Sequence, residues 1–134
     1  MVSIKVLVVE DENIVALEIK SRLKKLGYIV PSVASTGEEA ISRAEAFSPD
    51  LVLMDIMLKG NMDGIEAARQ IREKMDIPII YLTAYADGET LERAKVTAPY
   101  GYILKPFEEN DLRTSIEIAL FNHQLMRKLK TGDV

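Results

Sequence analysis

The stretch "LVLMDIML", residues 51–58, sets a single carboxylate among seven apolar side chains. A run that is apolar throughout, instead of alternating with polar residues, is the pattern of a strand covered on both faces, as in a parallel sheet clad by helices. Asp55 is the exception within it. An isolated ionised group in such surroundings either neutralises or finds a compensating cation, so its partners have to be sought elsewhere in the chain.

Similar runs recur on either side: "IKVLVV" at 4–9, "YIVPSVA" at 28–34, "IPIIYL" at 77–82 and "YGYIL" at 100–104. With 51–54 they predict five strands, the second at an edge because it contains Pro31. Helical periods fill the gaps. Val15, Ile19, Leu23 and Leu26 form one stripe, capped by Gly27. Thr36 to Glu39 fits a capping box opening a helix with Ala40, Ile41, Ala44 and Phe47, which Pro49 ends. Ile65, Ala68, Ile71 and Met75 make a third stripe. Asp87 is the expected N-cap of a fourth helix, whose buried face would be only Leu91, Ala94 and Ala98. The last helix starts near Glu108 and buries Leu112, Ile116 and Ala119 or Leu120. Its pattern continues through Leu125, Met126 and Leu129, a stripe that reads equally as a linker or a homodimer contact. His123, the only histidine, is expected to be solvated. The alternation predicts a (βα)5 flavodoxin-like, doubly wound α/β fold with a five-stranded parallel sheet in the order 2-1-3-4-5.

At 134 residues the chain fits one domain, expected over 1–120, with 121–134 as an extension of the last helix and a tail. Its 21 acidic against 17 basic residues give no basic field, which argues against direct binding of nucleic acid or an anionic membrane. There is no cysteine, so thiol chemistry is excluded and carboxylates are left to hold a hard cation. The opening "MVSIKVLVVEDEN" meets acidic residues too early for a signal peptide or a membrane span, and a cytoplasmic location is expected.

In open parallel sheets, sites form beyond the carboxyl ends of the strands. Glu10, Asp11 and Glu12 follow the first strand, Asp55 the third, Thr83 the fourth, and Lys105 with Pro106 the fifth. Glu10, Asp11 and Asp55 would gather three negative charges against one positive charge from Lys105. A bound divalent cation would balance the remainder, and an all-oxygen set favours Mg²⁺.

The ordered motifs "VLVVEDE" at 6–12, "LVLMDIML" at 51–58, "MDGIEA" at 62–67, "PIIYLTA" at 78–84 and "GYILKPF" at 101–107 resemble the receiver domain of two-component response regulators, over about residues 4–120. The resemblance implies that Asp55 accepts a phosphoryl group from a histidine kinase or phosphotransfer protein. It implies that Glu10 and Asp11, with the Met57 backbone carbonyl and Asp55 itself, bind the metal. Thr83 becomes the switch hydroxyl, Lys105 the phosphate-contacting lysine and Tyr102 the aromatic switch residue. The Lys105–Pro106 bond is expected to be cis. Such a domain is a phosphoacceptor rather than an enzyme, taking part in its own phosphoryl transfer and autodephosphorylation. It would pass the signal through its fourth helix, fifth strand and last helix to a downstream protein or output domain.

This chain departs from many relatives in reading "LKGNMDG" at 58–64 in place of an early Met-Pro turn. Met57 and Tyr85, each two residues beyond Asp55 and Thr83, are bulky and offer no amide or carboxylate to orient an attacking water, so a long-lived phosphorylated state is expected.

Three rivals share parts of this pattern. A flavin-binding flavodoxin would need a phosphate-cradling loop after strand one, where "EDEN" would repel phosphate. A haloacid dehalogenase-type phosphatase needs a second acid where Met57 stands. A receiver acting as a phosphorylation-independent interaction adaptor is the remaining alternative. Each residue also has a plain reading in isolation: Asp55 as a strand-end cap, Glu10 or Asp11 as caps of the first helix, Thr83 as a strand-end hydroxyl, Lys105 as a surface charge and Tyr102 as core.

Overall fold

The computed structural model describes residues 3–84 and 87–132. Five strands, β1 (Val6–Val9), β2 (Val33–Ala34), β3 (Leu51–Met54), β4 (Ile79–Thr83) and β5 (Gly101–Leu104), alternate with α1 (Asn13–Lys25), α2 (Gly37–Phe47), α3 (Gly64–Lys74), α4 (Gly88–Val96) and α5 (Glu109–Thr131). All pair in parallel, in the order β2-β1-β3-β4-β5.

The unbroken apolar runs have the expected physical consequence: successive residues of one strand enter opposite cores. Leu7, Val9, Val52, Met54, Ile79 and Tyr81 pack with α2, α3 and Ala94 of α4. Val6, Val8, Leu51, Leu53, Ile80 and Leu82 pack with α1 and α5.

The second run is not one strand. Ile29 makes an isolated bridge to Lys5, and pairing resumes only at Val33, because Pro31 between them has no N–H to donate. In α1, Gly27 adopts φ +95° just past the last turn, the left-handed conformation that glycine allows. The α2 capping box is half formed. Thr36 accepts from the Glu39 N–H, but the Glu39 carboxylate reaches one residue further back, to the Ser35 N–H (2.9 Å) and hydroxyl (2.7 Å). Phe47 at the end of α2 is exposed, off the face on which it was expected.

The α4 helix is capped by Asp87, whose carboxylate accepts from the Thr90 N–H at 2.9 Å. Its grip is thinner than expected: Ala94 is buried, Leu91 half-buried, and Ala98 lies past the helix end, exposed, at φ +51°. A hydroxyl pair adds an anchor. The Thr97 hydroxyl donates to the Ala94 carbonyl (2.7 Å), so the Tyr81 phenol must be the donor in its 2.7 Å bond to Thr97.

His123 is buried, contrary to the expectation of a solvated ring. It continues the inward stripe Leu112, Ile116, Ala119 at helical spacing, so the length of α5 carries it beneath the sheet. There Nε2 lies 3.1 Å from Asp76 Oδ1 and the ring meets Tyr100 edge-on. Burial works against ionisation of Asp76, but His123, Lys130 and Arg127 more than offset it and hold its pKa below the usual value.

Candidate functional site

Backbone pairing runs one residue past the strands and fixes the tips. The Glu10 N–H donates to Ala34 (2.9 Å), the Asp55 N–H to Val9 (3.0 Å) and the Lys105 N–H to Thr83 (2.9 Å). Three chemistry-bearing residues are thereby held by the same ladder that forms the sheet.

Their side chains converge. Lys105 Nζ lies 2.6 Å from Glu10 Oε1 and 2.9 Å from Asp55 Oδ2, with both carboxylates buried. Asp11, half-buried, joins them: ligand oxygens of Glu10, Asp11 and Asp55 all lie within 4.8 Å of one another. Among the described residues the other hydrogen bonds to these carboxylates come from backbone N–H groups: Glu12 to Glu10 (3.1 Å), Met57 to Asp55 Oδ1 (3.2 Å) and Lys59 to Asp11 (3.1 Å). Glu10 thus serves the start of α1 as well, although the N-cap position itself belongs to Glu12.

Three carboxylates face one ammonium, leaving two negative charges without a cation among these contacts. The donor set is all oxygen and partly open to solvent at Asp11, which fits a hard divalent cation. Burial lowers the pKa of Lys105, but its hydrogen bonds to Glu10 and Asp55 and their charges outweigh this, and the net shift is upward. The lysine is therefore firmly cationic.

Thr83 is fully buried at the adjacent tip, opposite Leu104. Tyr102 pairs with Tyr81 across β4 and β5, half-buried, its ring edge-on to Tyr81 at 6.3 Å on the α2–α4 side of the sheet. Tyr102 burial raises its phenol pKa, with a smaller push from the Asp87 charge. The Met57 side chain is 51% exposed. Tyr85 lies outside the described residues. The Lys105–Pro106 bond is cis.

Two neighbours of the site had no role assigned from sequence. Gly64 N–H donates to the Ile56 carbonyl at 2.7 Å, so the loop after Asp55 closes directly onto the first residue of α3. Asp63 caps α3 through Oδ1 to the Glu66 N–H (2.9 Å), while its Oδ2 accepts from Arg93 of α4 (2.8 Å). The signal was present in "DGIE", an N-cap acid with glutamate three residues on, but the partner in α4 leaves no mark in local sequence.

Comparison with known proteins places this geometry. A family model described as a response regulator receiver domain matches residues 6–117. The transcriptional regulatory protein PdtaR of Mycobacterium tuberculosis is 38% identical over 116 residues, 87% of this chain and 56% of that protein. The probable transcriptional regulator ycf27 of Guillardia theta is 36% identical over 116 residues, 87% of this chain and 45% of that protein. The chain spans about half the length of these curated relatives. Among solved structures, the signal receiver domain of a modulated diguanylate cyclase from Desulfovibrio desulfuricans superposes with TM-score 0.88 at 40% identity, covering 93% of this chain and 99% of that one. A CheY-like receiver domain from Methanospirillum hungatei gives 0.85 at 26% identity, covering 93% and 99%.

Proposed function

The chain belongs to the response regulator receiver domains of two-component signalling, and from that premise we propose that it is a phosphorylation-dependent switch whose acceptor is Asp55. The observation that carries this reading is the single Lys105 ammonium shared by Asp55 and Glu10, with Asp11 alongside.

The donor would be a phosphohistidine on a histidine kinase or phosphotransfer protein. One Asp55 oxygen forms an O–P bond as the N–P bond of the phosphohistidine breaks, and the bonding pair returns to the imidazole nitrogen. Phosphoryl transfer of this kind depends on positioning and charge stabilisation more than on covalent help. Lys105 supports the incoming phosphoryl oxygens and Thr83 offers a hydroxyl. Glu10, Asp11, Asp55 and the Met57 carbonyl are the residues that would hold Mg²⁺. When bound, Mg²⁺ supplies the two positive charges that screen acceptor and donor from each other.

The new charge at Asp55 biases Thr83 and Tyr102, and through them α4, β5 and α5. The α4 helix is the natural element to move, because a face with so few buried apolar contacts opens at small cost. Residues 1–120 are the unit we assign to this cycle, in the cytoplasm where a kinase could reach it. The downstream partner is a protein or output domain.

Treatment with acetyl phosphate and Mg²⁺, followed by intact-mass analysis, tests the reading. The expected result is one phosphoryl group on Asp55, absent in Asp55→Asn and without metal. A wild-type protein that takes up no label would overturn it and leave the phosphorylation-independent adaptor.

A further inference from the structure

We infer that Arg22 of α1 is a positioning residue for Lys105: its guanidinium braces the β5–α5 loop at Phe107 and so fixes where the Lys105 ammonium stands relative to Glu10 and Asp55. The inference rests on the reading of Asp55 as the phosphoryl acceptor, and it adds a residue outside the carboxylate cluster on which that site depends.

Lys105 leaves the sheet with its N–H on the Thr83 carbonyl (2.9 Å). Pro106 comes next, exposed and without an N–H to fasten it. The carbonyl of Phe107 then accepts from Arg22 Nη1 at 3.1 Å, across 85 residues of sequence. The same guanidinium lies 5.2 Å from the centre of the Phe107 ring, a cation over an aromatic face. Its other amine, Nη2, donates to Glu18 Oε1 at 2.8 Å, one turn back along α1, which aims the group. Fork and flat face are both in use, a combination that a lysine cannot reproduce. The brace stands on a fixed helix, because Ile19 and Leu23 on either side of it are buried. That helix begins directly after Glu10, Asp11 and Glu12. Arg22 therefore joins the segment that delivers the acids to the segment that delivers the lysine.

The brace matters most during transfer. At rest, Glu10 and Asp55 hold the ammonium directly, at 2.6 and 2.9 Å. When phosphoryl oxygens arrive at Asp55 the ammonium has to turn to them, and the position of its backbone then keeps a long, flexible side chain within reach. The Arg22–Glu18 pair is half open to water and adds little to the stability of the fold. Loss of Arg22 should therefore show in the rate of phosphorylation far more than in the resting molecule.

Labelling of the full chain by acetyl phosphate at saturating Mg²⁺ tests this, with Mg²⁺ affinity read by calorimetry and stability by urea on the same proteins. Arg22→Ala is expected to label Asp55 at least about tenfold more slowly than the wild type. Its Mg²⁺ affinity and urea midpoint should stay close to wild type, since carboxylates and core are untouched. Arg22→Lys keeps one donor for the Phe107 carbonyl and should recover part of the rate. An unchanged rate in Arg22→Ala, a slow rate matched by an equal loss of Mg²⁺ affinity, or an Arg22→Lys protein no faster than Arg22→Ala overturns the positioning role. A wild-type protein that takes no label is a different failure, that of Asp55 as acceptor, and the role of Arg22 falls with it.

Discussion

A β-carbon on Gly64 would stand 2.0 Å from the carbonyl oxygen of Asp55 and 2.9 Å from Cα of Ile56. The neighbour is backbone, held by the Gly64 N–H bond to Ile56, and it cannot rotate away. Gly64→Ala is therefore expected to destabilise the fold by about 3 kcal/mol or more and to displace Asp55. Urea denaturation checks the first effect, and a change below about 0.5 kcal/mol would contradict it.

Lys105→Met leaves Glu10 and Asp55 buried with no ammonium between them. Removing one partner of a buried ion pair costs about 3 kcal/mol, and that loss is expected in denaturation at neutral pH without metal. Asp55→Asn in the same background should recover part of it by removing one of three like charges. Acetyl phosphate labelling of Lys105→Met should be lost.

Mg²⁺ is expected to raise the thermal unfolding midpoint, because the carboxylate cluster exists only in the folded chain. At a hundredfold excess over its dissociation constant the gain would be about 2.7 kcal/mol. Asp11→Asn keeps an oxygen for the Lys59 N–H but removes a ligand charge, and should weaken Mg²⁺ binding at least about tenfold. Calorimetry reads both; equal stabilisation by Na⁺ would count against the site.

Burial pushes the Tyr81 phenol up to about 12. An unfolded tyrosine ionises near pH 10, so between these values the unfolded chain binds fewer protons than the folded one and stability falls as pH rises. The total loss from this group is about 2 to 3 kcal/mol, complete above the folded value. The last step of the phenolate absorbance titration, beyond the smaller delays of Tyr28 and Tyr102, should be missing in Tyr81→Phe.

Met57→Asn places an amide two residues beyond the acceptor, where it can orient water towards a phosphorylated Asp55. Loss of label should become several-fold faster than in the wild type. An unchanged decay rate would remove Met57 from the control of phosphoryl lifetime.

The sheet, its order and the convergence of Glu10, Asp11, Asp55 and Lys105 were legible because each depends on a local pattern: an apolar run and the residue that ends it. The breaks in that legibility have physical causes. Pro31 interrupts pairing inside an otherwise suitable run, so β2 shrinks to Val33–Ala34. His123 looks polar in a window of neighbours but sits at the right helical angle to be covered by Tyr100 and Asp76, which are far away in sequence. The Tyr81–Thr97 and Asp63–Arg93 contacts join different elements, and no window along the chain contains both partners.

Asp63 divides its two oxygens between the first turn of α3 and Arg93 of α4, at the end of the loop that begins at Asp55. The loop cannot travel far without either dragging α4 along or letting go of the guanidinium. Because Arg93 is half open to water, release costs only about 0.2 to 1 kcal/mol. The tether behaves as a light catch: it keeps the loop and α4 in register while costing little to release.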